Sequence, residues 1–268
     1  MTDFSTVYNR RNTGNIKWGN TPEDTMAMSV AEMEYALPDN VTKRLSERTA
    51  WPFYGYDRVP EGLESSIVNH YRERFGVILE PEWVVIITSV MPGLNMACRM
   101  AKGKILYNIP MYSHIRVLSQ ETKIEAIEVP MLVDKDNRYH MNFEEMEKQV
   151  TPEVSTFILC NPHNPVGRSY TKEEIEMVAQ FCGKHDLLLL SDEIHCELTF
   201  DNIHNPCFSI SETSREISIT FNSAGKILNI PGIPGAIAII PNKELRERFT
   251  EYTAGVFSQP NAFAMEAL

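Results

Sequence analysis

The sequence contains seven apolar runs of strand length after residue 80, several of them separated by segments with helical periodicity. The runs are WVVIIT (83–88), KILYNI (104–109), IEAIEV (124–129), STFILC (155–160), LLLLS (187–191), ISITFN (217–222) and GAIAII (235–240). Strands that are apolar on both faces are typical of a parallel sheet covered by helices on each side. The alternation therefore predicts an α/β fold with a largely parallel sheet.

The clearest helical pattern is TKEEIEMVAQFCGKH at 171–185. Thr171 and Glu174 have the spacing of a capping box, in which the two side chains bond the backbone N–H groups at the helix start. Ile175 and Cys182 belong to one apolar face of this predicted helix. Two further amphipathic candidates, at 38–49 and 61–75, lie in a first stretch of about 80 residues that is otherwise irregular.

The charge and the cysteine content argue against several classes of protein. A net charge of -11 without a cluster of lysines and arginines argues against binding to nucleic acid. No segment approaches the roughly 18 apolar residues of a membrane span, and the first residues lack the apolar core of a signal peptide. Five cysteines without a C-x-x-C pair fit reduced thiols better than a disulfide framework or a zinc site. We therefore expect a cytoplasmic protein without a bound metal, a nucleic-acid partner or a membrane contact.

Polar residues follow three of the predicted strands at the points where the strands end. Asn164 lies in NPHNPVG, Asp192 lies in SDEIH, and Lys226 lies in NSAGK. Each has an ordinary explanation on its own: a turn, a structural salt bridge or helix cap, and a solvated lysine. Ligands of open α/β sheets bind beyond the carboxyl ends of the strands, so the three segments together predict a binding site.

The order and spacing of these segments resemble those of the fold-type I pyridoxal-phosphate enzymes, the aspartate-aminotransferase-like superfamily. Asn-Pro-x-Asn-Pro-x-Gly is followed after about thirty residues by Ser-Asp-Glu, and after a similar gap by Ser-x-x-Lys. A finer resemblance, to the MalY/PatB cystathionine β-lyase (C-S lyase) branch of the class I/II aminotransferases, rests on six further segments. They are NRRNTGNIKW (9–18), VAEMEY (30–35), FYGY (53–56), VMPGL (90–94), IPMY (109–112) and DEIH (192–195).

The resemblance implies a three-layer α/β/α large domain with a mostly parallel, seven-stranded sheet. It assigns residues 1–50 to an N-terminal segment that belongs to the small domain in relatives, and residues 51–268 to the cofactor-binding domain. Members of the family continue past the position of Leu268 into a small C-terminal domain, which supplies the arginine that binds the substrate carboxylate. We therefore expect this chain to be a fragment, a truncated or split product, or a degenerate relative.

The resemblance also assigns roles around the cofactor ring. Lys226 matches the Schiff-base lysine, and Asp192 matches the carboxylate that pairs with the pyridine nitrogen. Asn164 matches the amide that bonds the phenolic oxygen of the ring. Tyr112 matches the aromatic residue that stacks on the ring, and its hydroxyl is a candidate for proton handling. His195 falls against the opposite face of the ring, as a packed or a catalytic residue.

The phosphate of the cofactor is expected on the turn SVMPG, before a helix that starts at Pro92. Free backbone N–H groups of Val90 and Met91 would meet the phosphate there. Ser223 would add a hydroxyl, and Tyr56 matches a tyrosine that reaches the phosphate from the neighbouring subunit of a homodimer. Gly225 departs from the pattern, because the family commonly has serine before the lysine.

The leading hypothesis for function is β-elimination at an S-substituted cysteine such as cystathionine, which yields a thiol, pyruvate and ammonia. Transamination by a class I/II aminotransferase shares every step through the removal of the α-proton, and stays open. A hypothesis of another class is a truncated, non-catalytic remnant or a regulatory protein. Fingerprints of dinucleotide-binding, P-loop and α/β-hydrolase proteins are absent from the sequence.

Overall fold

The computed structural model describes residues 3–200, 202–257 and 261–267, and its centre is a seven-stranded sheet. The strands in this part of the chain are β1 (Val84–Ile87), β2 (Lys104–Ile109), β3 (Ala126–Pro130), β4 (Leu132–Val133), β5 (Tyr139–His140), β6 (Val154–Cys160), β7 (Leu188–Asp192), β8 (Ser218–Asn222) and β9 (Ala236–Ile239). The order in the sheet is β1-β9-β8-β7-β6-β2-β3, and β4 pairs only with β5. Each predicted apolar run forms one strand of the large sheet, so the strand prediction is confirmed.

The direction of the strands is mostly uniform. Strands β8, β7, β6, β2 and β3 run parallel to one another, whereas β9 is antiparallel to both β1 and β8. Strand β1 therefore runs in the same direction as β8, and only β9 is reversed within this sheet. The prediction of a mostly parallel, seven-stranded sheet is confirmed.

Helices cover both faces of the sheet, as predicted for a three-layer fold. The helices in the described residues are α1 (Ile16–Gly19), α2 (Asp39–Ala50), α3 (Leu63–Phe75), α4 (Val90–Ala101), α5 (Ser113–Thr122), α6 (Phe143–Gln149), α7 (Lys172–Lys184), α8 (Glu212–Ile217), α9 (Lys243–Thr253) and α10 (Ala262–Ala267). Helices α4, α5 and α9 pack on one face of the sheet. Helices α3, α6 and α7 pack on the other. No helix in the described part of the chain combines the length and the apolar character needed to cross a membrane.

Local sequence signals explain the helix boundaries. Helix α7 begins after Thr171, whose side chain accepts a hydrogen bond from the N–H of Glu174, while the side chain of Glu174 bonds the N–H of Thr171. The predicted capping box is therefore present. The two amphipathic candidates in the first 80 residues are also helical, as α2 and α3.

The first 35 residues contain little regular structure, and a polar network holds them in place. Lys17 donates a hydrogen bond to the carbonyl oxygen of Glu32 at 2.7 Å, and Arg10 donates to that of Met33 at 3.1 Å. The side chains of Lys17 and Arg10 also form ion pairs with Glu34. Charged hydrogen bonds thus replace strand or helix pairing in fixing residues 30–35.

Gly93 brings helix α4 close to the sheet. A Cβ atom at this position would lie 2.7 Å from Cδ1 of Ile87 and 2.7 Å from Cε1 of Phe221, and both side chains are fully buried. Replacing Gly93 by alanine is expected to lower the free energy of unfolding by about 1–3 kcal/mol through overpacking. The measurement is urea unfolding, with G19A as the matched control because Gly19 is also helical and a Cβ atom there would have no neighbour within 4 Å. Equal stabilities for the two variants would contradict the packing argument.

Candidate functional site

A cavity of about 860 Å³ lies at the carboxyl ends of the parallel strands. Eight of the nine residues predicted to bind the cofactor line it: Val90, Met91, Tyr112, Asn164, Asp192, His195, Ser223 and Lys226. These residues follow five different strands that end at the same edge of the sheet. The parallel topology therefore collects side chains that are up to 136 positions apart in the sequence, from Val90 to Lys226.

The connections between strands explain why a cavity forms at this edge. After β2 the chain passes to β3 on one side, whereas after β6 it passes to β7 and β8 on the other side. Strands β2 and β6 are neighbours, so the connections separate between them and leave a crevice above their carboxyl ends. Tyr112 follows β2 and Asn164 follows β6, and both line this crevice.

Asp192 ends strand β7 and is buried, with 3% of its surface exposed. Its Oδ1 accepts a hydrogen bond from the N–H of Ile194 at 3.2 Å, and within the described residues it has no ion-pair partner. Burial raises the pKa of the Asp192 carboxyl to about 6; the Glu193 charge also raises it, and the N–H of Ile194 and the Lys226 charge lower it. A buried carboxylate that faces a cavity in this way is suited to a cationic ligand atom.

Lys226 lies four residues after the end of β8, and among the described lysines and arginines it alone lines the cavity. Its Nζ donates a hydrogen bond to the carbonyl oxygen of Ala31 at 3.3 Å. The positive charge of Lys226 is close enough to lower the pKa of Asp192, as a secondary effect, and that of His195. Lys226 and Asp192 therefore line one shared cavity.

The loop NPHNPVG presents Asn164 to the cavity because its other polar residues are anchored elsewhere. The side chain of Asn161 accepts a hydrogen bond from the N–H of Tyr170 at 3.1 Å. The ring of His163 lies between the carbonyl oxygen of Pro110, 2.7 Å from Nε2, and the hydroxyl of Tyr170, 2.8 Å from Nδ1. Asn161 and His163 are therefore structural, whereas Asn164 lines the cavity.

Tyr112 and His195 form two further walls of the cavity. Burial raises the pKa of the Tyr112 phenol, and the charges of Asp192 and Cys160 raise it further. Burial lowers the pKa of the His195 imidazole, and the charge of Lys226 lowers it further. At neutral pH both groups are therefore uncharged, and the phenol keeps a proton that it can donate in a hydrogen bond.

The amino end of helix α4 lines the cavity with Val90 and Met91, but the helix begins earlier than predicted. It starts at Val90 rather than at Pro92, so the predicted start was wrong by two residues. Proline is tolerated at the third helical position because the N–H that it lacks would have no intrahelical acceptor there. The side chain of Ser89 does not cap the helix, which leaves the N–H groups of Val90 and Met91 for an anion.

Ser223 lines the cavity but its hydroxyl already has two partners within the chain. The hydroxyl donates to the carbonyl oxygen of Gly235 at 2.6 Å and accepts from the N–H of Gly225 at 3.1 Å. These bonds hold the turn that carries Lys226. To donate a hydrogen bond to a phosphate, this hydroxyl would have to give up its bond to the carbonyl oxygen of Gly235.

Tyr56 does not line the cavity and is fully exposed. Its neighbours Trp51, Phe53 and Tyr54 are more than half exposed as well. The sequence placed Tyr56 in the site of a second subunit, so its exposure in a single chain leaves that prediction open.

Residues 28–31, to which sequence reasoning assigned no role, form a further wall of the cavity. The side chain of Asn229 holds the adjoining segment: it accepts from the N–H of Met33 at 2.9 Å and donates to the carbonyl oxygens of Met33 and Tyr35 at 3.1 Å. The motif VAEMEY at 30–35 contributed to the resemblance. That motif was a signal for Val30 and Ala31 but not for Met28 and Ser29, and it did not indicate which atoms would reach the cavity.

The chain is similar in sequence and in structure to several known proteins. A sequence model of the family described as aminotransferase class I and II matches residues 23–267. The cystathionine β-lyase PatB of Bacillus subtilis is 29% identical over 99% of this chain and 71% of its own length. The PLP-bound putative aminotransferase of Clostridium difficile superposes with a TM-score of 0.93 at 28% identity, over 100% of this chain and 71% of that structure. The PLP-bound C-S lyase of Staphylococcus hominis gives a TM-score of 0.89 at 25% identity, over 100% and 69%.

Proposed function

The chain belongs to the aminotransferase class I and II family, and we propose that it is a pyridoxal-phosphate-dependent C-S β-lyase. The proposed substrate is cystathionine or a related S-substituted cysteine, which is converted with water into a thiol, pyruvate and ammonia. One observation carries the proposal: the amine of Lys226 and the buried carboxylate of Asp192 face a single cavity that ends at the amino terminus of helix α4. The names of PatB and the Staphylococcus hominis enzyme support the lyase reaction.

The residues of the cavity fit pyridoxal phosphate in charge and shape. The free N–H groups of Val90 and Met91 suit its phosphate, and the amide of Asn164 suits its phenolic oxygen. The carboxylate of Asp192 suits a protonated pyridine nitrogen, because it is buried and no cation among the described residues forms an ion pair with it. The ring of Tyr112 offers an apolar face for stacking. The cavity of about 860 Å³ has room for the cofactor and an amino acid.

Pyridoxal phosphate, when bound, supplies an electron-withdrawing ring that stabilises negative charge at the α-carbon of the substrate. Lys226 is then the base that takes the α-proton, because its Nζ is the amine that lines the cavity. Asp192 holds the proton on the pyridine nitrogen. A raised pKa keeps the phenol of Tyr112 protonated, so it can donate a hydrogen bond within the cavity, and a lowered pKa keeps His195 uncharged.

The test is to purify the chain with added pyridoxal phosphate, supply cystathionine and measure pyruvate. Pyruvate formation that depends on the cofactor is the expected result. Cofactor binding without pyruvate would contradict the lyase proposal, and if no glutamate is formed in a transamination assay either, the result would favour a non-catalytic remnant. That outcome has support in the cavity itself, where the described residues supply no arginine for the substrate carboxylate.

Transamination is the second candidate, because the family name and the Clostridium difficile structure both refer to aminotransferases. The same preparation is given an amino acid and 2-oxoglutarate, and glutamate is measured. Glutamate formation without pyruvate from cystathionine would assign the chain to the aminotransferases.

We also propose a homodimer in which Tyr56 of one chain reaches the phosphate site of the other. The support is the exposed aromatic stretch from Trp51 to Tyr56, since a contiguous apolar surface of this kind is typical of an interface. Light scattering after size-exclusion chromatography measures the mass.

We propose as well that a domain boundary lies at residue 50 and that the protein is cytoplasmic. The five free, buried cysteines are consistent with a reducing compartment.

A further inference from the structure

Glu193 follows Asp192 directly but faces away from the cavity. It is fully buried and is not among the residues that line the cofactor cavity. The hydroxyl of Ser191 donates a hydrogen bond to the carboxylate of Glu193, two positions further along the chain. Asp192, which lies between them, lines the cavity. Successive side chains in extended backbone point to opposite sides, so Glu193 lies on the far side of the sheet from the cofactor.

The carboxylate of Glu193 accepts three hydrogen bonds. Oε1 accepts from the hydroxyl of Ser191 and from the N–H of Cys207, each at 2.8 Å. Oε2 lies 2.8 Å from Nε2 of His204, a fully buried side chain. Nδ1 of His204 is buried and has no hydrogen-bond partner in the described part of the chain, so the contact of Nε2 with Glu193 is the hydrogen bond that orients this ring. A buried carboxylate with three donors is held far more firmly than a solvated one.

The backbone of Glu193 is fixed on both sides as well. Its N–H donates to the carbonyl oxygen of Phe221 on the neighbouring strand at 2.8 Å, and its carbonyl oxygen accepts from the N–H of Cys196 at 2.9 Å. Asp192 and His195, which line the cavity, lie on either side of this anchored residue. A shift of Glu193 would therefore move the Asp192 carboxylate relative to the cavity.

We propose that Glu193 is a positioning residue for Asp192, and that Ser191, Cys207 and His204 form the buried socket that holds it. Glu193 does not touch the cofactor cavity, so its effect on the cofactor passes through Asp192. The inference rests on the proposed function in one respect, namely that Asp192 contacts pyridoxal phosphate.

The test measures the dissociation constant of pyridoxal phosphate for single and double variants by fluorescence titration. E193A is expected to weaken binding about tenfold in the wild-type background and to have little further effect beside D192N, because coupled residues are not additive. E193Q should restore affinity to within about threefold, since its carbonyl oxygen can still accept from Ser191 and Cys207. Equal effects of E193A in both backgrounds would overturn the proposal, as would an E193Q affinity no better than that of E193A.

Glu197 offers a matched control for a general loss of stability. It lies on the same segment, its side chain is 10% exposed, and it pairs with His70 and Arg74 of helix α3. E197A removes these pairs without touching Asp192 and should leave the dissociation constant within about twofold, while it lowers the melting temperature. A loss of affinity as large as that of E193A would show that the effect is one of stability and would overturn the positioning role.

A milder variant covers the case in which E193A does not fold. S191A removes one of the three donors and should weaken binding about twofold to threefold in the wild-type background and not beside D192N. The same loss in both backgrounds would overturn the proposal. Failure of the function proposal gives a different result, since wild-type chain would then not bind pyridoxal phosphate or D192N would bind it as tightly as wild type.

Discussion

Replacing Lys226 by alanine is expected to abolish pyruvate formation from cystathionine, with a loss of at least about 1,000-fold. The reason is that the cavity contains no second lysine in the described residues that could attach the cofactor or take the α-proton. Alanine keeps the backbone of the turn, which the hydroxyl of Ser223 holds through Gly225 and Gly235. Pyruvate is measured under saturating cofactor and substrate.

A second measurement separates chemistry from binding in the K226A variant. Borohydride reduction followed by peptide mass spectrometry should find the cofactor covalently attached to Lys226 in wild type and find no attachment in K226A. K243A is the matched control, because Lys243 is 77% exposed and pairs only with Glu247 among the described residues. Pyruvate formation by K226A within tenfold of wild type, or covalent attachment elsewhere, would contradict the assignment of Lys226.

Replacing Asp192 by asparagine is expected to lower pyruvate formation at least about 100-fold, a loss typical of removing one charge-stabilising group from an active site. Asparagine has nearly the same shape as aspartate but cannot hold the proton of the pyridine nitrogen by charge. The variant should also bind pyridoxal phosphate more weakly. A D192N variant with wild-type activity would contradict the pairing of Asp192 with the cofactor.

The same substitution is expected to stabilise the chain when the cofactor is removed. Burial raises the pKa of Asp192 to about 6 in the folded chain, against an ordinary value of 3.8 for an aspartate. Between these two values the folded chain binds more protons than the unfolded chain, so the free energy of unfolding falls as the pH rises. The difference between the two pKa values corresponds to about 3 kcal/mol of stability that is present below the lower pKa and lost by pH 7.

Because D192N cannot ionise, its cofactor-free form should be more stable than cofactor-free wild type at pH 7, by up to about 3 kcal/mol. The advantage should disappear below about pH 4, where Asp192 is protonated in both states. Urea unfolding at several pH values measures this, with D136N as a control because Asp136 is exposed in a turn. A D192N variant that is less stable than wild type at pH 7 would show that Asp192 is not a buried, uncompensated charge.

Saturating cofactor should reverse the order of the two proteins. A protonated pyridine nitrogen would compensate the charge of Asp192 and so stabilise the wild type more than D192N. The melting temperatures with and without pyridoxal phosphate measure this difference. An equal stabilisation of both proteins would mean that the cofactor does not contact the carboxylate.

The seven strands were predictable because each is a continuous apolar run, and burial on both faces requires such runs whatever their neighbours are. The capping box of helix α7 was predictable for a similar reason, since both of its partners lie within four residues of each other. The proposed cofactor residues came from the resemblance, and parallel topology gives the physical reason why residues after β2, β6, β7 and β8 meet. The start of helix α4 was wrong because Pro92 was taken as the first helical residue.

The sequence by itself determined the elements and the edge of the sheet where polar residues gather, since both follow from local patterns and from strand direction. Only the tertiary structure decided that residues 28–31 form a wall of the cavity and that the carbonyl oxygen of Ala31 accepts a hydrogen bond from Lys226. It also decided that the side chain of Asp192 lies in the cavity, whereas that of Glu193 lies in the buried socket. Ala31 and Lys226 are 195 positions apart, and their contact depends on how two layers pack. Such contacts have no local signal in the sequence, because they depend on how side chains from distant segments pack together.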